Sequence, residues 1–216
     1  MAVLQALVVE QLLQSVSEHP LQYHRCVARP DRHRADLVAA TGQLLRRQGY
    51  AGTSVNDFLD AAGAANGSLY HHFPGGKEEL ARAAIDAAAE QVEAALQSAF
   101  EATDDVVVAA QLSIDGMIAA FEADPRDGCP VAPTAIDAAG VSEELRLAAA
   151  AAFARWSDVF ERALCRTRDA DTAATQARVL LSAIEGALLL DRTSHGTSHL
   201  KALREAVPTL LARPAG

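Results

Sequence analysis

Seven histidines, three cysteines and 28 carboxylates are the side chains of this 216-residue chain best suited to covalent or metal chemistry, and their spacing argues against both. His71 and His72 are adjacent, so on a helix they point about 100° apart and chelate one ion poorly. His195 and His199 have the spacing that puts two ligands on one helix face. Gly196 and the Ser/Thr residues around it predict a loop instead, with no evident carboxylate or cysteine partner. Cys26, Cys129 and Cys165 are odd in number and far apart, which suits neither a zinc site nor a disulfide framework and points to a reducing compartment. No Gly-x-Ser-x-Gly elbow or phosphate-binding loop occurs. Glu78-Glu79 and Glu143-Glu144 sit at predicted helix starts, where acids suit the macrodipole. The chain is therefore expected not to be an enzyme, and neither a metal nor a cofactor is called for.

Recognition chemistry is better supplied, between residues 53 and 77. Thr53 or Ser54 serves as N-cap of a short helix that carries Val55, Phe58, Leu59 and Ala62 on one face. Gly63 breaks it, and a second short helix begins near Ala65 and runs through Leu69, Tyr70 and Phe73 until Pro74. Ala61 and Ala62 are small where two helices must cross, and Gly63 permits a sharp turn, so the block satisfies the geometry of a helix-turn-helix. Leu69 and Phe73, four apart, share the face that packs on Phe58 and Leu59. Asn66, Gly67, Ser68, Tyr70 and His71 are left facing outward. They are short polar or aromatic groups able to reach base edges and phosphates, and the backbone N–H groups of that helix start add phosphate-binding capacity. Asn-Gly is also a strong hairpin signal, but the flanking alanines and the lack of strand patterns set that reading aside.

The elements that must position these residues all read as helical. Half of the residues are hydrophobic, alanine is abundant, and no stretch of alternating β-branched residues competes, so the fold class is all-α. A weak apolar pattern at Leu4, Val8, Leu12 and Val16 ends at Pro20, and a linker follows to Pro30. Helical spacing then covers 31–48 with Gly49 as stop, the two short helices, 77–100, a helix capped by Asp104 or Asp105 through Phe121, one opened by Ser142 to about 167, 171–192 and 199–211. Residues 126–140, which contain Gly128, Pro130, Pro133 and Gly140, fit at most one short helix. The expected organisation is an N-terminal extension over 1–30, a DNA-binding domain over 31–90 and a larger helical domain over 91–216.

Within that larger domain, Ile114, Met117, Phe121, Phe153, Trp156 and Phe160, with Ile118, either line a pocket or form plain bundle core. Leu180, Ile184, Leu188, Leu203 and Val207, with Leu210, supply an apolar stripe that suits a dimer seam or a buried contact within one chain. No apolar run of about 18 residues or more occurs, so no membrane partner is expected. Met1 and the residues after it lack the basic start of a signal peptide, which points to a cytoplasmic protein. Net charge is −9, yet from Arg29 to Leu80 six cations (Arg29, Arg32, Arg34, Arg46, Arg47, Lys77) balance six acids (Asp31, Asp36, Asp57, Asp60, Glu78, Glu79), so the deficit lies outside the candidate head.

Gly49-Tyr50-x-x-Thr53-Ser54-Val55, then Ala62-Gly63, then Gly67-Ser68-Leu69-Tyr70-His71-His72-Phe73, then Lys77-Glu78-x-Leu80 resembles the DNA-binding domain of the TetR family. Gly128-Cys129-Pro130-Val131 and Trp156 are similar to the LmrA/YxaF-like branch. The resemblance implies a transcriptional regulator, with Thr53 or Ser54 touching phosphate, Gly67 allowing close approach to DNA, Ser68 and His71 near bases, and Tyr70 and Lys77 holding the backbone. It implies repression relieved by a small apolar inducer, and double-stranded, palindromic operator DNA as partner. A homodimer is expected because half-sites lie about 34–36 Å apart and one short helix reads too little sequence. Asn66 departs from the lysine frequent in the family and brings no counterion release. A helical small-molecule binder that has lost DNA binding is the alternative that this residue and the neutral head favour.

Overall fold

The computed structural model describes residues 30–212, apart from the side chains of residues 30–32 and of Asn66. The pattern at Leu4 to Val16, the linker after it and Cys26 lie outside the described residues. Among the described residues the fold is helical throughout: α1 (Pro30–Gln48), α2 (Val55–Ala62), α3 (Asn66–His72), α4 (Gly76–Glu101), α5 (Val106–Ala123), α6 (Ala132–Ala138), α7 (Glu143–Leu164), α8 (Ala170–Ser194) and α9 (Ser198–Leu210).

Local signals set most of these boundaries. Gly49 stops α1 at a φ of 73°, a left-handed conformation that costs glycine nothing. Asp105, one of two candidate caps, accepts the N–H groups of Val107 and Val108 and opens α5. Ser142 accepts the N–H of Leu145 at the start of α7. Asp169, upstream of the start expected at Asp171, accepts the N–H of Thr172 and opens α8.

The chain divides into two compact units. One contains residues 30–90 together with 129–152, so α6 and the start of α7 cluster with the helix-turn-helix head. There α1 packs against α2, α3 and α6. Its core holds Leu37, Leu45, Phe58, Leu69, Phe73, Leu80 and Leu145, each buried. Asp137 on α6 accepts the backbone N–H of Ala51 at 2.9 Å. Ser142 donates to Glu78, and Arg82 pairs with Glu144 at 3.1 Å.

The other unit contains residues 91–128 and 153–212, with α9 packed on α5 and α8. Contrary to the sequence expectation, α5 and α8 are each long and apolar enough, by length and composition, to cross a bilayer. Both also pack within the unit against α9. Ala109, Ala110, Ile114, Ile118 and Phe121 of α5 are buried, and Asp115 on the same helix forms a two-bonded pair with Arg204 of α9.

Gly49 supplies a test of the α6 contact. A Cβ placed there would lie 2.4 Å from the Asp137 carboxylate, in addition to the left-handed φ, whereas one at Gly42 in mid-α1 meets nothing within 4 Å. Gly49→Ala is expected to destabilise by about 1–3 kcal/mol, and Gly42→Ala to stabilise by up to about 1 kcal/mol. Paired urea titrations measure both, and a Gly49→Ala protein as stable as wild type would remove the Asp137 contact from the fold.

Candidate nucleic-acid interface

The interface candidate is built on two short helices that hold each other. Of the two possible caps, Ser54 takes the role. Its hydroxyl accepts the Asp57 N–H at 3.2 Å and donates to the Asp57 carboxylate at 2.7 Å, which in turn accepts the Ser54 N–H at 2.6 Å. This reciprocal box uses Asp where Glu or Gln is usual. The Ser54 hydroxyl, then the Ser54 N–H, hold the Asp57 carboxyl below its ordinary pKa. Thr53, expected as a phosphate contact, is instead 2% exposed and donates to the Gly49 carbonyl at 2.7 Å. Its hydroxyl closes the turn before α2 and is turned away from solvent.

Gly63 ends α2 with a φ of 61°, and the Ala64 N–H returns to the Leu59 carbonyl at 2.9 Å. That is the sharp reversal between the two helices. Phe58 and Leu59 from α2, with Leu69 and Phe73 from α3, are at most 3% exposed. The opposite face of α3 is therefore presented to solvent. Tyr70 is 61% exposed, Gly67 and His71 are exposed, and Ser68 and His72 are half-buried. The His71 and His72 rings meet edge to face at 4.8 Å between centroids, which is no chelating geometry. Asn66 is the first residue of α3, placed there by its backbone. A Cβ at Gly67 would meet no atom within 4 Å, so nothing among the described residues requires a glycine there.

Lys77 has a task that sequence reasoning missed. Its ammonium donates to the Tyr50 carbonyl at 2.8 Å and sits 4.0 Å from the centre of the Tyr50 ring, tying the start of α4 to the turn after α1. Desolvation lowers its pKa, against the opposing pull of Asp137 and Asp57. Tyr50 was visible only as a motif residue, and no local spacing pairs it with a lysine 27 positions on.

Comparison with known proteins agrees with this geometry. The family model for bacterial regulatory proteins of the tetR family matches residues 37–84, and that for the C-terminal domain of LmrA/YxaF-like transcriptional regulators matches 106–206. The HTH-type transcriptional regulator LmrA of Bacillus subtilis (strain 168) is 33% identical over 182 residues, covering 83% of this chain and 97% of that protein. YxaF, an uncharacterised HTH-type regulator of the same organism, is 34% identical, covering 83% and 95%. A solved TetR regulator from Chloroflexus aurantiacus J-10-FL has a TM-score of 0.71 at 27% identity, covering 83% of this chain and 94% of that one. One from Legionella pneumophila shares the fold, with a TM-score of 0.75 at 20% identity, covering 86% and 98%.

The chain belongs to the TetR family. It is a helix-turn-helix transcriptional regulator, of a family that binds DNA.

In this TetR-family chain the remaining candidate residues fall in the unit that carries α5, α8 and α9. Ile114, Phe121, Trp156 and Phe160 are buried, and Met117 and Phe153 are half-buried. Phe153 and Trp156 meet edge to face at 5.4 Å, and Phe160 lies 5.6 Å from Phe100 of α4, an aromatic the sequence reading left out. The seam residues are a different matter. Leu180, Ile184, Leu188, Leu203 and Val207 are all at most 9% exposed. They pack within one chain, α8 against α9, and leave little surface for a second copy. The more apolar stripe of an amphipathic helix is the one the subunit's own core takes.

The His195–His199 spacing also resolves. His195 is the left-handed cap of α8, and the His199 ring lies 2.8 Å from the buried Asp191, the carboxylate partner that was not evident from sequence. Asp191 also accepts the N–H groups of His199 and Leu200 at the start of α9. Burial raises its pKa, but these donors outweigh burial and leave it below the ordinary value.

Ser54→Ala is expected to cost about 1 kcal/mol of stability at neutral pH. Because the folded Asp57 pKa is depressed, its share of the cap is complete above the unfolded carboxylate value and is lost as pH falls through the depressed one. The difference between wild type and Ser54→Ala in urea should therefore narrow from about pH 7 to about pH 3. An unchanged difference would mean that Asp57 ionisation contributes nothing.

Proposed function

We propose that this regulator is a homodimeric, cytoplasmic repressor that reads a palindromic operator with α3 and is released by a small apolar ligand. The observation that carries the reading is the asymmetry of α3. Leu69 and Phe73 are wholly buried while Gly67, Tyr70 and His71 stand exposed on the other side. As the proposed contacts, Ser54, Asn66, Ser68, Tyr70, His71 and Lys77 meet phosphates and base edges. Gly67 admits the helix into the major groove without a Cβ in the way.

For the dimer, the second stripe of α8 takes the place of the buried one. Val179, Ala183, Gly186 and Leu190 recur at helical spacing, and Val179 and Leu190, with Leu189 beside it, are large apolar side chains 46–57% exposed. Gly186 has open space around its Cβ position, which suits close approach of a second backbone. For the ligand, Ile114, Met117, Phe121, Phe153, Trp156 and Phe160 supply apolar and aromatic surface. Release requires that the ligand bind the DNA-free state more tightly than the operator-bound one.

A binder that has lost DNA recognition is the second reading. The engagement of Lys77 by Tyr50 favours it, since a cation that could release a counterion is occupied inside the head.

Gly67→Ala separates the two. In the repressor reading it leaves the melting temperature unchanged or raises it, because alanine is the better helix former by about 1 kcal/mol, while operator affinity falls tenfold or more. Fluorescence anisotropy on a duplex selected from a random-sequence library measures the affinity. Wild-type binding no tighter than to unrelated duplex, or an unaffected Gly67→Ala, would overturn the repressor reading. Leu190→Glu is expected to give a monomer in sedimentation at micromolar concentration without loss of helicity, and a persistent dimer would move the seam elsewhere.

A further inference from the structure

The neutral head poses a question that the recognition helix does not answer. Affinity for duplex DNA comes largely from cations set against phosphates, and a positive charge contributes only where it is not already neutralised by the protein. Most cations described in this unit are engaged. Arg82 pairs with Glu144 and Asp86, Arg146 pairs with Glu143, and Arg46 and Arg47 have partners as well, while Lys77 keeps its charge but is held on the Tyr50 carbonyl.

Arg34 differs. It stands exposed near the start of α1, and its guanidinium carbon lies 4.9 Å from the centre of the Phe73 ring. No carboxylate pairs with it among the described residues. Phe73 is the residue that caps the carboxy end of α3, and its own N–H is bonded to the Leu69 carbonyl at 2.7 Å. The ring is wholly buried, so it is a fixed surface rather than a mobile one. A guanidinium that rests on an aromatic face keeps its N–H edge available for a phosphate, loses little further rotamer freedom on binding, and retains its full charge. A lysine could supply the charge but not the planar stacking.

We propose that Arg34 is a phosphate contact of the DNA-binding head, positioned by Phe73 beside the carboxy end of the recognition helix. The ligand group is a phosphodiester of the duplex backbone flanking the groove that α3 enters. Arg34 lies three positions before the residues matched by the family model, so it is assigned by the Phe73 contact and not by the motif. The inference rests on the DNA-binding reading above.

The test is the salt dependence of binding, which a purely structural role would not move. Wild type, Arg34→Gln and Arg34→Lys are titrated by anisotropy against the selected duplex and against a random-sequence duplex, each from about 0.05 M to about 0.2 M salt. Loss of one phosphate contact lowers the slope of log affinity against log salt by about 0.9, so the advantage of wild type over Arg34→Gln shrinks about threefold across that range. The same reduction is expected on both duplexes, because a phosphate contact carries no sequence information. Arg34→Lys should keep the wild-type slope with weaker affinity. Should Arg34→Gln fail to fold, Arg34→Met, whose thioether stem also covers an aromatic ring, removes the charge instead. A charge-removing variant with the wild-type slope overturns the proposal and leaves Arg34 as packing for Phe73. Wild type without salt-dependent binding to either duplex overturns the DNA-binding reading itself, and the proposal with it.

Discussion

Whatever the head presents to DNA depends on the burial of Leu69 and Phe73. The helix that carries them has only seven residues, and Ala65 at its N-cap offers no side-chain acceptor. Such a helix has no stability of its own in water, because nucleation costs more than so few hydrogen bonds return. Its position is supplied by two large side chains sunk beside Phe58 and Leu59, each worth about 1.5–3 kcal/mol of burial, and by the Gly63 reversal that sets the angle between α2 and α3. Because Leu69 and Phe73 are four apart, anchoring both fixes the rotation of the helix. That rotation turns Gly67, Tyr70 and His71 outward.

A second constraint holds the turn that feeds α2. The segment between Gly49 and Thr53 is tied from three directions: by the Thr53 hydroxyl on the Gly49 carbonyl, by Lys77 on the Tyr50 carbonyl, and by Asp137 on the Ala51 N–H. The last reaches across 86 positions of sequence. Residues 129–152 thus belong structurally with the head, although the matched C-terminal family domain runs continuously over 106–206. A family boundary drawn along the sequence and a compact unit drawn by packing need not coincide, since helices such as α4 and α7 contribute to both units.

Net charge was a poor guide to the head for a related reason. Within the head, Arg82 with Glu144 and Arg146 with Glu143 consume charge of both signs in pairs. What matters for a polyanion is how many cations stay uncompensated and where they are held, and a sum over the sequence reports neither.

From the sequence alone came the helical class, the boundaries of nearly every helix and the second helix of the helix-turn-helix, because these depend on short-range signals. Apolar spacing of three and four, a left-handed glycine at Gly49 and Gly63, and an acceptor side chain at Ser54 or Asp105 all act within a turn or two of chain. The placements that only the tertiary structure decided involve partners far apart. Asp137 on Ala51, Lys77 on Tyr50, Arg34 on Phe73 and Arg204 on Asp115 have no periodicity to betray them. The stripe on α8 makes the point most plainly. Leu180, Ile184 and Leu188 on one side, and Val179, Ala183, Gly186 and Leu190 on another, are both apolar and both helically spaced. Which of them is core is settled by where α9 lies, a fact about neighbouring helices that the spacing along α8 does not contain.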